Sequence, residues 1–255
     1  MTRLLLVDVG NTQTVVGADD GEAFHTWRLS TQASRTADEY RLLLESLLEE
    51  DGHEFDGCAL SSVVPPATVA LRTALATVTG HRPVVVGPGT RTGMALRVDN
   101  PREVGADRIV NALGAISRYG TPVITVDFGT ATTVDLVGPE GDYRGGAIAP
   151  GLTVAADALV RSTAALRRVD LVSPEHVVGR STVEAIQSGL VFGYAGLVDG
   201  LLDRFLDELQ SRQVTIVATG GTAEVVVSHC THPVVLDPDL TLLGLRVAWE
   251  RNVDR

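Results

Sequence analysis

Asp8-Val9-Gly10-Asn11-Thr12-Gln13-Thr14-Val15 closes an apolar run over residues 3–7 and opens another at Thr14–Gly17. An apolar run ending in an acid, followed by Gly and small polar residues, reads as a strand, a tight turn and a returning strand. After Thr121 the pattern restarts, and Asp127-Phe128-Gly129-Thr130-Ala131-Thr132-Thr133-Val134 shares Asp, Gly, Thr and Val with the first stretch at the same offsets. A chain that repeats itself in this way is a duplicated fold.

Working outward from the two turns, strands and helices alternate. Tyr40, Leu43, Leu44, Leu47 and Leu48 recur at helical spacing, which predicts an amphipathic helix over 36–50. Cys58-Ala59-Leu60 reads as a strand, Pro65-Pro66 starts a helix to about Val78, and Pro83 to Val86 reads as a strand. A helix is expected over 100–119, with Ile109, Val110, Leu113 and Ile116 on one face. In the second half the pattern predicts helices near 151–161 and 181–210 and a strand at Val214 to Ala218. The turn Thr219-Gly220-Gly221-Thr222 and a closing helix from about Thr241 to Trp249 follow. The expectation is an α/β protein of two similar lobes, residues 1–115 and 116–255, facing a cleft in which the two Asp-x-Gly turns meet.

Composition narrows the function. The 255 residues carry 21 Lys+Arg against 32 Asp+Glu, a formal charge of −11. That balance disfavours binding to nucleic acid, whose affinity rests on basic residues that displace counterions. Hydrophobic residues make up 44% and aromatics 4%, so the core is aliphatic, as suits strands covered by helices. Cys58 and Cys230 form no disulfide framework, which suits a reducing cytoplasm. The first apolar run is too short for a signal peptide or membrane span, so no membrane association is expected.

Three groups of residues can carry chemistry. A strand-end Asp8 beside Gly10 places a carboxylate next to amides that can approach a phosphate, although a plain hairpin with a solvated acid has the same sequence. Thr219-Gly220-Gly221 follows a strand and precedes a helix, a site for anions or ring nitrogens, or an ordinary turn. Asp107 and Arg108 follow Gly105 at a helix start, where Asp107 could accept a proton and Arg108 hold an anion. Equally, they could be a helix N-terminal acid and a surface base. GxxxxGK[ST], GxGxxG after a strand and the protein-kinase motifs are all missing from the sequence. The histidines are scattered; His229 and His232 flank Cys230 with no further nearby ligand, so a zinc site is not expected. Gly189, Gly193, Gly196 and Gly200 among Leu, Val and Phe suggest a closely packed core helix, part of which could serve a dimer.

Several motifs occur in order along the chain: Asp8 to Thr12, Ser61-Ser62-Val63-Val64-Pro65, Asn100-Pro101 through Gly105-Ala106-Asp107-Arg108, and Asp127 to Thr133. Gly145-Gly146-Ala147-Ile148-Ala149-Pro150-Gly151 and Thr219-Gly220-Gly221 follow. This ordered set resembles the type III pantothenate kinases, of the actin, Hsp70 and sugar-kinase superfamily. The resemblance implies an actin-like (ribonuclease H-like) ATPase fold and ATP-dependent phosphorylation of pantothenate, the first step toward coenzyme A. It implies that Asp8, Val9, Gly10, Asn11, Thr12, Gln13, Thr14 and Val15 form an ATP phosphate loop, with Asp8 near Mg²⁺. Thr130 would contact ATP, and Asp127 would hold K⁺ or NH₄⁺. Gly105, Ala106, Asp107 and Arg108 would line the pantothenate pocket, with Asp107 as the base. Thr182 would contact substrate, from the partner subunit of a homodimer. The chain departs from the family at Val98, where many members carry a Tyr that contacts pantothenate. The rival readings are a kinase of another acceptor (a sugar, acetate or polyphosphate) and a regulatory accessory protein.

Overall fold

The computed structural model describes residues 2–49, 54–163, 167–211 and 213–253. They form two units, Met1–Arg118 with Asp239–Arg255, and Tyr119–Pro238.

In the first unit, β1 (Leu4–Val9), β2 (Gln13–Asp19) and β3 (Phe24–Ser30) run antiparallel. β4 (Gly57–Ser62) and the two-residue β5 (Val84–Val85) extend the other side of β1 in parallel, giving the order β3-β2-β1-β4-β5. Alternation along the strands sorts the faces. Leu5, Val7, Val9, Val16, Cys58 and Leu60 face a core shared with helices α1 (Ala37–Leu48) and α2 (Pro65–Thr79), which contribute Tyr40, Leu44, Leu71 and Leu75. The helix expected over 36–50 is α1, set off by a capping box in which Thr36 and Glu39 satisfy each other's backbone N–H; residue 50 lies outside the described residues.

The opposite face of this sheet is covered by α7 (Leu240–Asn252), the closing helix, which lies against β1 and β4. Gly17 and Gly57 make the room. A Cβ at Gly17 would stand 2.6 Å from Leu242 Cδ1, and one at Gly57 2.6 Å from Trp249 Cε2. Helix α3 (Ala106–Tyr119) meets α7 backbone to backbone, Gly114 against Leu240 and Gly244 against Val110. Arg246 of α7 lies 3.2 Å from Asp19 of β2, a carboxyl 1% exposed. Burial raises the pKa of Asp19, against the Gly21 N–H and the Arg246 charge, which lower it.

The second unit repeats the plan. β6 (Val123–Phe128), β7 (Ala131–Val137) and β8 (Tyr143–Pro150) are antiparallel, and β9 (Thr215–Thr219) and β10 (Val234–Leu236) continue from β6 in parallel. The order β8-β7-β6-β9-β10 matches that of the first sheet strand for strand. α4 (Leu152–Arg161), α5 (Thr182–Leu209) and α6 (Ala223–Val227) cover one face, with Ile124, Val126, Phe128, Leu152, Val198, Leu202 and Val226 in the core.

Four details differ from the sequence reading. The helix expected from residue 100 starts at Ala106; Pro101–Glu103 is a separate 3₁₀ turn capped by Asn100, and extended Val104 breaks the path. β10 was not anticipated, since three residues carry no periodicity. The two Asp-x-Gly hairpins are also not in register beyond the turn. Asp8 pairs with Val15, seven residues on, whereas Asp127 pairs with Thr133, six on, because the second turn is one residue shorter. Finally, the α5 glycines do not face the core. Leu190, Val191, Tyr194, Val198, Leu202 and Leu206 are buried, while Gly189, Gly193 and Gly196 look onto open space. By length and composition α5 could cross a membrane, yet this buried face is part of the core of its own unit.

Candidate active site

In the first unit the candidate residues gather at the C-terminal edge of the parallel pair β1 and β4. Leu5, Val7 and Val9 turn into the core, so Asp8 faces the opposite side, flanked in register by Val15 of β2 and Ser61 of β4. The Ser61 side chain is fully buried, and its hydroxyl has no hydrogen-bond partner among the described residues. A buried hydroxyl beside a carboxylate is costly unless something completes its hydrogen bonding.

The turn after Asp8 is more closed than its glycine suggested. The Gly10 N–H donates to Gln13 O at 2.9 Å, closing the hairpin, so this amide is spent within the turn and is not offered to a ligand. The Gly129 N–H is likewise engaged, by Ala131 O at 3.1 Å. Asn11, Thr12 and Gln13 form the exposed tip. Thr14 is fully buried, its hydroxyl 2.9 Å from that of Thr31, the residue after β3. Thr31 also donates its hydroxyl to Gly10 O (2.7 Å) and its N–H to Thr12 O (3.0 Å).

Gly105, Ala106, Asp107 and Arg108 reach the same edge. A Cβ on Gly105 would stand 3.8 Å from Val63 Cγ1, just beyond the end of β4, and the Val63 N–H in turn donates to Val9 O. Asp107 is the second residue of α3 and half-buried. Its Oδ1 accepts the Arg108 N–H at 2.8 Å, while its second oxygen carries no hydrogen bond among the described residues. Asp107 thus has one oxygen holding its position and one that can accept a proton.

In the second unit Asp127 occupies the place of Asp8, but its neighbours differ. Thr133 of β7 and Thr219 of β9 flank it in register on the same face, so a carboxylate and two hydroxyls stand in a row across three strands. Gly220, at φ 99°, closes over the row, and a Cβ there would come within 2.6 Å of both Asp127 Oδ1 and the Phe128 backbone. Exposed Thr130 forms the tip of the turn, held by the Gly151 N–H on Thr130 O at 2.9 Å. Thr182 is elsewhere. It is exposed at the start of α5, whose Tyr194 hydroxyl bonds Pro150 O at the end of β8. Twelve residues of helix, about 18 Å, separate it from that contact.

His229 is 2.8 Å from Ser173 Oγ and edge-on to Phe192, and His232 is 3.1 Å from Asp203. His53 lies outside the described residues. Among the described residues no group of three His, Cys, Asp or Glu side chains is placed to hold a metal. Ser61 and Thr133 lie within motifs quoted above without being singled out as site residues, and Thr219 reads there with its glycine pair and not as a neighbour of Asp127. Thr31 has no motif around it, and only the sheet order reveals it.

Comparison with known proteins points in one direction. A Nocardia farcinica type III pantothenate kinase is 50% identical over 261 residues, covering 99% of this chain and 98% of its own. A Streptomyces griseus type III pantothenate kinase is 47% identical over 263 residues, covering 99% of each. Among solved structures, a ROK family glucokinase from Streptomyces griseus, in complex with glucose and AMPPNP, superposes with a TM-score of 0.53 at 13% identity, covering 97% of this chain and 98% of that one. That likeness supports the actin-like sugar-kinase fold that the resemblance implied. The family model for type III pantothenate kinase matches residues 4–204, and the chain belongs to that family.

Proposed function

We propose a division of labour for the phosphorylation of pantothenate that this kinase family carries out. Asp107 accepts the proton of the pantothenate 4′-hydroxyl as that oxygen attacks the γ-phosphorus of ATP. The bond from the γ-phosphorus to the β,γ-bridging oxygen breaks, giving ADP and 4′-phosphopantothenate. Gly105 and Ala106 shape the pantothenate pocket, and Arg108 holds the pantothenate carboxylate. The loop from Asp8 to Val15 receives the triphosphate, and Thr130 contacts ATP. The observation that carries this reading is the second Asp107 oxygen, which has no hydrogen bond among the described residues while the first is held by the Arg108 N–H. Phosphoryl transfer depends mainly on positioning and charge neutralisation.

The donor sets fit the ions that the reaction uses. Mg²⁺ carried by a triphosphate needs only one or two carboxylates, and Asp8 beside Ser61 offers a hard oxygen set. Asp127 between Thr133 and Thr219 offers a carboxylate and neutral oxygens, which suits a weakly hydrated monovalent cation such as K⁺ or NH₄⁺. When bound, these ions neutralise phosphate charge. The exposed position of Thr182, about 18 Å along α5 from the Tyr194 anchor, supports its service to the partner's site in a homodimer. Val98 leaves the pantothenate wall without the usual tyrosine hydroxyl. Both cysteines are free thiols, in keeping with a cytoplasmic enzyme.

The test is ADP release from MgATP with and without pantothenate, in K⁺ and in Na⁺. Turnover that requires both pantothenate and K⁺ supports the acceptor and the Asp127 role. Turnover indifferent to the cation removes that role, and pantothenate-independent behaviour removes the acceptor. Asp107→Asn retaining more than about a tenth of wild-type kcat overturns the base, because general-base catalysis commonly contributes about 10² or more.

A further inference from the structure

The turn between β1 and β2 is held from outside by one residue. Thr31 has a single hydroxyl proton, and Gly10 O, 2.7 Å away, can only accept. That proton therefore belongs to the Thr31–Gly10 bond, and the 2.9 Å contact with Thr14 runs from the Thr14 hydroxyl to the Thr31 oxygen. The Thr31 N–H takes the second tip carbonyl, Thr12 O, at 3.0 Å. Two alternate carbonyls of the turn are thus bound to the same residue.

A trans peptide is planar, so fixing a carbonyl fixes the next N–H in the opposite direction. With Gly10 O and Thr12 O both turned toward Thr31, the N–H groups of Asn11 and Gln13 point away from it, on an exposed tip. Parallel amides of this kind bind anions. The second unit repeats the device with a different residue. Gly151, the residue after β8, gives its N–H to Thr130 O at 2.9 Å, and it comes so close to the carbonyls of Gly129 and Thr130 that a Cβ would overlap both. Both braces follow the third strand of their unit, one through a hydroxyl and an amide, the other through an amide and close approach.

We propose that Thr31 is a positioning residue for the triphosphate: its hydroxyl, oriented by Thr14, sets the tip amides of the first loop toward the phosphates. Thr14 is then part of the framework and not a ligand contact. This rests on the assignment of ATP to the Asp8 loop. The test is steady-state kinetics of Thr31→Val, Thr31→Ser and Asp8→Asn, with melting temperatures measured alongside. Losing one hydrogen bond that aims the loop raises the KM for ATP about threefold to tenfold in Thr31→Val. The KM for pantothenate and kcat stay near wild type, and Thr31→Ser restores the ATP value. A lowered melting temperature with wild-type KM for ATP overturns the proposal, since it marks a purely structural threonine. If Thr31→Val does not fold, Thr14→Val takes its place, because it removes only the donor that orients Thr31; an unchanged KM for ATP there overturns the proposal. A changed kcat/KM for ATP in Asp8→Asn, with none in Thr31→Val, removes the brace alone. No change in either removes the assignment of ATP to this loop and the brace with it.

Discussion

Gly105→Ala separates the position of Asp107 from its chemistry. The added Cβ would sit about 1 Å inside the 3.4 Å at which ordinary contact with Asp107 Oδ1 begins, and 3.5 Å from its Cγ. Its contact with Val63 Cγ1, at 3.8 Å, is ordinary. The atom in the way is the end of a side chain, so the carboxylate swings aside and the backbone stays. Swinging breaks the 2.8 Å bond from the Arg108 N–H, a loss of about 0.5–1.5 kcal/mol. Replacing glycine stiffens the unfolded chain and returns about 0.4–1 kcal/mol, so the melting temperature should move by only a few degrees. With Asp107 as the proposed base, catalysis should respond far more, because misplacing a reacting group by about 1 Å costs about 10² in rate. The assay is coupled ADP release at saturating ATP and pantothenate, with thermal unfolding of the same preparation. A folded Gly105→Ala with kcat within about threefold of wild type would refute the view that the orientation of Asp107 drives catalysis.

Gly220→Ala should unfold several degrees below wild type. The alanine would adopt φ 99° and meet Asp127 Oδ1 and the Phe128 backbone at 2.6 Å, and a wild-type melting curve would disprove this. The Thr36 N–H and hydroxyl hold the Glu39 carboxyl below its ordinary range, so the capping box is fully stabilising above the ordinary glutamate pKa and is lost as pH falls through the lowered value. Glu39→Gln should therefore flatten the acid limb of stability against pH, and an unchanged limb would rule that out. Burial, aided by the Asp199 charge, raises the Cys230 thiol to about 11. At pH 8 a thiol reagent should therefore react slowly with the native protein and quickly in denaturant, whereas fast native labelling would contradict the burial.

The duplicated fold was legible because both hairpins carry an acid, a glycine and a threonine-rich return, residues that suit the turn and the proposed site alike. The register of the second hairpin was not legible. Turn length depends on which amide closes the loop, Gly10 to Gln13 in one case and Gly129 to Ala131 in the other, and a matching Thr and Val after each turn conceals the slip. The start of α3 was overextended since Pro101 to Glu103 is itself helical in composition; the break at Val104 is conformational. The α5 glycines read as core because glycine permits close packing, but permission does not choose a face, and the large residues between them took the inside. Asp8, Asp107 and Asp127 entered as candidates through the repeated Asp-x-Gly pattern and, for Asp107, through resemblance alone. Thr31 could not be found in this way, because its partners are backbone carbonyls 19 and 21 residues away, brought near only by strand pairing.

The first unit is discontinuous in sequence, and this gives it an order of assembly. Its sheet can bury the side facing α1 and α2 once residue 79 has been made. Its other side waits for Leu242, Leu245 and Trp249 to arrive on α7, after the whole second unit has been synthesised. Until then Gly17 and Gly57 are open slots in an apolar surface, the kind of exposed half-core that chaperones bind. The second unit has all its strands and covering helices in one continuous stretch, so the lobe whose sequence begins first is the one that must be completed last.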